Sequence, residues 1–270
     1  MKILITGSEG FIGQNAVKYF RKKGYKVYTA DIKKGKDLRE YQVCAKAVKG
    51  MDWVIHLAAD NGGYSYINDP DNTHIAENNK QIDNNMAFAC IDHGVKRMFY
   101  SSSSCVYPLN KHENSYGTEK YHAEKTFRSS PVPCSIARFQ NVYGPYETIG
   151  GEKEKVIPAF CRQIIESSVI LMQGDGKQKR SWIYVEDLCE QIETMMIKRV
   201  KLADLGGQIA TIDEILEILL DCANKDLGVL KTMDKQKAKK FMKFKYKPKT
   251  SLQDGLLKTF NYVRRAKWSQ

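Results

Sequence analysis

The stretch KILITGSEGFIGQNAVKYFRKKGYKVYTAD, residues 2–31, decides the fold. Its first five residues read as an apolar strand, and Gly7, Gly10 and Gly13 follow at once. Ile12, Ala16, Tyr19 and Phe20 then recur at i, i+4, i+7 and i+8, which predicts a helix with one apolar face. Lys22, Lys23 and Gly24 close that helix with basic residues and a glycine stop. A second strand runs over 26–30 and ends at Asp31. Glycines between a strand and a helix permit a tight turn, close backbone approach to a pyrophosphate and close helix–strand packing. The helix N-terminus adds N–H donors and the positive end of its dipole. Asp31, 18 residues beyond Gly13, lies where a carboxylate accepts hydrogen bonds from a ribose 2′-hydroxyl. The same carboxylate repels a 2′-phosphate, so the expected cofactor is NAD rather than NADP, although Lys33 and Lys34 stand beside it.

Working outward, further strand-like runs occupy 53–59, 97–101 and 134–139, with helical stretches over 75–92 and 116–128 between them. Strands alternating with helices predict an α/β fold, a Rossmann-type doubly wound parallel sheet. Beyond residue 145 the pattern changes. Amphipathic helices are expected over 156–165 and 188–197, and Thr211 with Glu214 forms a capping box that opens another. The last strand-like run, 169–173, is short. The expected organisation is an NAD-binding domain over 1–145, with a return segment near 177–200, and a smaller, mostly helical substrate-binding domain over 146–270.

Composition narrows the class. Hydrophobic residues at 42% and charged residues at 27% exclude a mostly disordered chain. No apolar run approaches the roughly 20 residues of a membrane helix. A strand already at residue 2 leaves no room for a secretory leader ahead of it, so a cytoplasmic protein without membrane contact is expected. The seven cysteines are widely spaced without a Cys-x-x-Cys, and the five histidines show no ligand spacing, so neither disulfides nor a metal is expected. The net charge of +12 is concentrated: 13 Lys or Arg face two acids over 231–267. Phe241, Phe244 and Tyr246 interleave the lysines, a pattern compatible with a polyanion surface. A solvated lysine face with the aromatics turned inward accounts for it more simply, and nucleic acid is not the expected partner.

A tyrosine and a lysine four residues apart on a helix share one face, where the cation can help the phenol act as a general base. The chain offers Tyr19/Lys23, Tyr107/Lys111, Tyr116/Lys120 and Tyr121/Lys125. Tyr19/Lys23 lies within the first helix, far from the strand ends where ligands bind. Tyr116 opens a helix just after a strand ending in Ser101–Ser104, and a serine there can hold a substrate hydroxyl. The candidate set is Ser103, Tyr116 and Lys120.

Gly7-x-x-Gly10-x-x-Gly13, HLAADNGGY (56–64), YSSSSCVYP (100–108), RFQNVYGP (138–145), EKVIPAFCR (154–162) and GDGKQKRSW (174–182) together resemble the extended short-chain dehydrogenase/reductases. Within that group the chain is similar to the nucleotide-sugar epimerases, most of all the GDP-mannose 3,5-epimerase family. The resemblance implies NAD-dependent epimerisation through a transient 4-keto sugar. Tyr116 would take the proton of the 4-hydroxyl as hydride passes to NAD⁺. Cys105 and Lys155 match the acid–base pair that inverts carbons 3 and 5. Gly62 and Gly63 match glycines that let the sugar approach, and Asn141 and Arg180 match groups that bind the diphosphate. The implied cofactor contacts extend to Phe11, Ile12, Asp37, Leu57, Ala58 and Ala59. A homodimer formed through the helices over 75–92 and 116–128 is implied as well.

The chain departs from that pattern in three places. Only six residues separate Pro108 from Ser115, where the family carries a longer acidic loop. Gln140 and Gln163 replace a histidine and a lysine. The arginine-bearing segment that closes over the nucleotide is largely missing, and the lysines over 235–243 are the candidate replacements. An epimerase/reductase resembling GDP-fucose synthase, a 4-epimerase and a non-catalytic NAD-binding regulator remain as alternatives. GDP-fucose synthases carry a histidine in place of Lys155 and use NADPH, so Asp31 and Lys155 favour the self-contained epimerase.

Overall fold

In a computed structural model, which describes residues 1–109, 111, 114–232 and 246–268, the chain is built on a six-stranded parallel sheet. Its first half alternates as the spacing predicts: β1 (Lys2–Thr6), α1 (Phe11–Lys22), β2 (Lys26–Ala30), α2 (Tyr41–Val48), β3 (Trp53–His56), α3 (Tyr64–Asn68), α4 (His74–Asp92), β4 (Arg97–Ser103), α5 (Ser115–Ser129) and β5 (Cys134–Phe139). Side chains alternate across the pleat. Ile3 and Ile5 therefore meet α1 on one face, while Leu4 faces α2 and α4 on the other. Both faces are covered, which is why these strands read as continuous apolar runs.

The second half runs through β6 (Asn141–Tyr143), α6 (Val156–Glu166), β7 (Val169–Met172), β8 (Lys179–Tyr184), α7 (Val185–Lys198), β9 (Leu202–Leu205), β10 (Gln208–Thr211), α8 (Ile212–Ala223), β11 (Gly228–Lys231) and α9 (Leu252–Trp268). The main sheet has the order β2-β1-β3-β4-β5-β9. Chain direction across it reverses between β1 and β3, and in such sheets ligands bind outside the strand C-termini at that point.

The sequence reading ends the large sheet at β5, but β9 pairs with β5 as its outer strand. That strand hid because its four residues include Asp204, which is buried and accepts the Tyr107 hydroxyl at 3.0 Å. The run expected over 53–59 stops as a strand at His56, because the N–H groups of Leu57 and Ala58 turn to the Thr6 hydroxyl at 3.1 and 3.2 Å. Within the expected return segment, α7 places Leu188, Ile192 and Met195 in the core shared with α1.

The remaining elements are less purely helical than the sequence reading holds. β8 pairs with β6 and β10, β7 pairs with β11, and α6, α8 and α9 pack around a separate core with Phe160, Ile164, Leu216 and Phe260. The Thr211/Glu214 capping box opens α8 as expected. The lysine-rich stretch over 235–243 lies outside the described residues. Among the described residues no helix is long and apolar enough to cross a membrane, and no cluster of three His, Cys, Asp or Glu side chains could hold a metal ion.

Candidate functional site

A cavity of about 760 Å³ opens at the strand C-termini, between the large sheet and the α6–β8 elements. Gly7, Gly10, Phe11, Ile12 and Gly13 form one end of it, with Leu57 and Ala59 beside them. A Cβ on Gly13 would lie 1.9 Å from the Gly7 carbonyl oxygen, so only glycine lets α1 start this close to the turn. The N-cap Gly10 supplies no side-chain cap, which leaves the first N–H groups of α1 available to a ligand. The Ser8 hydroxyl in the same turn is buried and unpartnered among the described residues. Open N–H donors, close backbone and an unmet hydroxyl fit the pyrophosphate of a dinucleotide.

Three expected cofactor residues lie outside the cavity wall. Asp31 is buried at the end of β2, where its two oxygens accept the N–H groups of Glu9 at 2.8 Å and Lys33 at 2.9 Å. A carboxylate has capacity for further donors, so a ribose hydroxyl remains compatible with it. Asp37 is gripped by the Arg39 side chain at 2.6 to 3.1 Å, and those hydrogen bonds hold its carboxyl below the usual range. Ala58 abuts the back of Gly7.

The candidate reacting residues come from two neighbouring elements. Ser103 ends β4, and Tyr116 and Lys120 lie on α5. The Asn114 side chain caps α5 by accepting the Gly117 N–H at 2.7 Å. A Cβ on Gly117 would meet the Cys105 carbonyl oxygen at 2.2 Å, so this glycine lets α5 press on the serine turn. The Ser103 side chain accepts the Cys105 N–H at 3.1 Å, and its influence on the Tyr116 phenol favours ionisation. Ser103, Cys105, Tyr116 and Lys120 all line the cavity.

One expectation needs correction. The spacing argument has Lys120 lowering the pKa of Tyr116. Instead the phenol is held far above its ordinary value, first by burial and then by the nearby Cys105 and Asp83. The Lys120 ammonium is turned elsewhere: it donates to the Tyr100 hydroxyl at 3.0 Å and lies 3.7 Å from Asp83. The competing pairs are otherwise engaged. Tyr19 donates to Glu193, Tyr107 binds Arg138 and Asp204, and Lys125 covers the Tyr121 ring.

Lys155 is the N-cap of α6, its Nζ stands 5.6 Å from the centre of the Phe11 ring, and it lines the same cavity. Gly62, Gly63, Asn141 and Arg180 share the same cavity. The Asn141 amide donates to the Ser181 carbonyl at 3.3 Å. Gln163 is partly committed to structure, since its side-chain oxygen accepts the Leu171 N–H at 2.7 Å.

The sequence reading marks Gln140 only as a departure from the family, and it does not mark Gln178, Glu147, Asp83 or Tyr100 as site residues at all. The Gln140 Nε2 and Gln178 Oε1 atoms are buried without a hydrogen-bond partner among the described residues. Glu147 is buried on the cavity wall, where it accepts the Gly144 N–H at 3.0 Å. Burial pushes its carboxyl up to about 7, against the pull of Lys155 and of that N–H. Asp83 and Tyr100 lie behind Lys120. The one available signal was Asp83 on the buried stripe Ile75–Asn79–Asp83–Cys90 of α4, a charge where an apolar residue is expected.

Residues 3–206 match the model of the NAD-dependent epimerase/dehydratase family. The chain belongs to that family. It is therefore an NAD-dependent enzyme of the nucleotide-sugar epimerase and dehydratase type. The GDP-mannose 3,5-epimerase of Arabidopsis thaliana is 31% identical over 268 residues, covering 85% of this chain and 71% of that one. The GDP-L-fucose synthase 1 of the same plant is 26% identical over 316 residues, covering 97% and 92%. The fold matches that of a UDP-glucose 4-epimerase from Thermotoga maritima with a TM-score of 0.86 and 21% identity, over 99% and 100% of the two chains.

Proposed function

We propose that the protein epimerises a GDP-hexose such as GDP-mannose at carbon 3, carbon 5 or both, through a transient 4-keto sugar. The observation that carries this reading is that Cys105, Lys155 and Tyr116 line one cavity, although they come from separate elements of the chain. Bound NAD⁺ supplies a reversible hydride acceptor for carbon 4 and a cationic ring beside it. Ser103 orients the 4-hydroxyl, and Tyr116 accepts its proton. The carbonyl so formed acidifies the hydrogens on carbons 3 and 5. Cys105 and Lys155 then act as a pair, one removing a proton from one face and the other returning one to the opposite face. Tyr116 gives its proton back when carbon 4 is reduced, so no cofactor is consumed. Gly62 and Gly63 leave room for the sugar, while Asn141 and Arg180 serve the diphosphate.

The likeness to the GDP-mannose epimerase supports the GDP-sugar reading. The fuller overlap with the GDP-L-fucose synthase favours a second reading, epimerisation followed by net reduction. Incubation with NAD⁺ and GDP-mannose in heavy water separates them. Deuterium at carbon 3 or 5 without loss of cofactor, abolished in Tyr116→Phe, is the expected result. Steady NADPH consumption would establish the second reading. Unlabelled GDP-mannose beside exchange in another nucleotide sugar would overturn the substrate assignment.

We also propose a homodimer through the outer faces of α4 and α5, where Phe88 and Ile91 are exposed. A monomeric mass by light scattering would refute it.

A further inference from the structure

Behind the cavity wall runs a closed chain of buried polar groups. Thr6 Oγ1 accepts the N–H groups of both Leu57 and Ala58, so its own hydrogen goes to Nδ1 of His56 at 2.7 Å. With Nδ1 accepting, the His56 proton sits on Nε2 and is donated to Asp83 at 3.0 Å. The Tyr100 hydroxyl donates to the other Asp83 oxygen at 2.6 Å. Lys120 reaches that same oxygen at 3.7 Å and donates to the Tyr100 hydroxyl at 3.0 Å. His56, Asp83, Tyr100 and Lys120 are each at most 1% exposed. Lys120 is the lysine that stands against Asp83 in this chain of bonds.

Buried charges persist only when paired. We propose that Asp83 is a positioning residue: as the counter-ion of Lys120, it locks the ammonium in the wall of the site and decides when Tyr116 can release its proton. The proposal rests on reading Tyr116 and Lys120 as the reacting pair. Lys120 lies 5.9 Å from the Tyr116 ring centre, within reach of electrostatic influence. Asp83 offsets that influence and opposes ionisation of the phenol. Burial would push the Asp83 carboxyl up, but Lys120, His56 and Tyr100 together hold it below its ordinary value, so it stays anionic. The other groups facing Tyr116 are the Cys105 thiol, which also opposes ionisation, and the Ser103 side chain, which favours it. Glu119, one turn away on α5, is pushed up to about 7 by burial and then by Asp83, so it adds little charge below neutrality. The free protein thus stores its base as a neutral phenol. An added cation beside Tyr116, which the nicotinamide ring of NAD⁺ supplies, completes what Lys120 alone does not.

The test is the ionisation of Tyr116 in the protein without cofactor, which needs no turnover. Tyrosinate absorbance is read for wild type, Asp83→Asn, Tyr116→Phe and Asp83→Asn/Tyr116→Phe. Across a titration from about pH 9 to 12, the Tyr116-dependent absorbance of Asp83→Asn, read against Asp83→Asn/Tyr116→Phe, should appear at lower pH than that of wild type read against Tyr116→Phe. A folded Asp83→Asn in which it appears no lower than in wild type would overturn the proposal. If Asp83→Asn does not fold, Asp83→Asn/Lys120→Met decides. Recovery of the fold when both charges go supports the counter-ion role, and failure of that variant refutes it. Activity lost in Tyr116→Phe tests the enzymatic reading separately.

Discussion

Arg138→Met should be among the most damaging single substitutions away from the cavity. Arg138 on β5 is 2% exposed and Glu124 on α5 is 1% exposed. The guanidinium grips the carboxylate at 2.8 and 2.7 Å and donates a third bond to the Tyr107 hydroxyl at 2.7 Å. Ser102 on β4 donates to the same carboxylate at 2.6 Å. Removing the arginine leaves a buried carboxylate with that hydroxyl and Arg128, which is half exposed and 3.4 Å away. Breaking a buried pair from one side costs about 3–5 kcal/mol, and the residual partners place this case near the lower end, about 3 kcal/mol. At about 2–4 °C per kcal/mol for a chain near this size, melting should fall by about 6–12 °C. Glu124→Gln/Arg138→Met removes both charges and should regain much of the loss, giving a coupling of about 2 kcal/mol in a double-mutant cycle. Thermal and urea unfolding of the four proteins read these numbers. An Arg138→Met loss below about 1 kcal/mol, or a double variant equal to the sum of the singles, would refute the buried-pair reasoning. The pair also bears on function, because Glu124 shares α5 with Tyr116 and Lys120, and Ser102 adjoins Ser103.

Gly13→Ala forces a Cβ to 1.9 Å from the Gly7 carbonyl. The turn must open, and an overpacking cost of about 1–3 kcal/mol spent at the pyrophosphate site should weaken NAD binding by about 10- to 100-fold in calorimetry. Unchanged affinity would place the pyrophosphate elsewhere. Glu147 makes stability depend on pH. Its folded value, pushed up by burial to about 7, lies above the unfolded one, so the folded state binds the proton more tightly. The stabilisation is complete below about pH 4.5 and is lost as pH rises through about 7, amounting to about 3 kcal/mol. Glu119, half-buried, follows the same sign in the same window with stronger solvent screening. Glu147→Gln should flatten the fall in urea midpoint between about pH 5 and pH 8, and an unchanged slope would remove Glu147 as its source. Gln178→Met deletes a buried carbonyl that lacks a partner among the described residues. Such a group costs about 1–3 kcal/mol, so the variant should hold or gain stability while losing affinity for the nucleotide sugar. Lower stability with intact affinity would show that Gln178 serves only the fold.

The large sheet was legible because its physics is local. Strands covered on both faces show as apolar runs, and the 3.6-residue stripe of α1 shows in twelve residues. β9 was not legible, because Asp204 breaks its run, and its hydroxyl partner Tyr107 lies far off in sequence. The site divides in the same way. Spacing could align Tyr116 with Lys120 on one face of α5. It could not show that Lys120 turns to Tyr100 and Asp83, which arrive from β4 and α4. Glu147 was hidden for a similar reason: it follows Tyr146, whose φ of +72° is a conformation no propensity predicts for tyrosine.

The cavity lining differs from place to place in how its hydrogen bonds are spent. Behind the reacting wall, Thr6, His56, Asp83, Tyr100 and Lys120 bond one another, so their geometry is set before any ligand arrives. Fixed dipoles and charges of this kind need no reorganisation during a reaction, which is where their catalytic value lies. Elsewhere on the cavity lining, Gln140, which follows β5, presents a donor and Gln178 an acceptor with no partner among the described residues. A buried donor and acceptor left open disfavour any ligand that cannot meet both. A phosphate oxygen only accepts, whereas a sugar hydroxyl or a purine edge offers both roles at hydrogen-bond spacing. Substitutions at Gln140 or Gln178 should therefore change which nucleotide sugar is used before they change what is done to it.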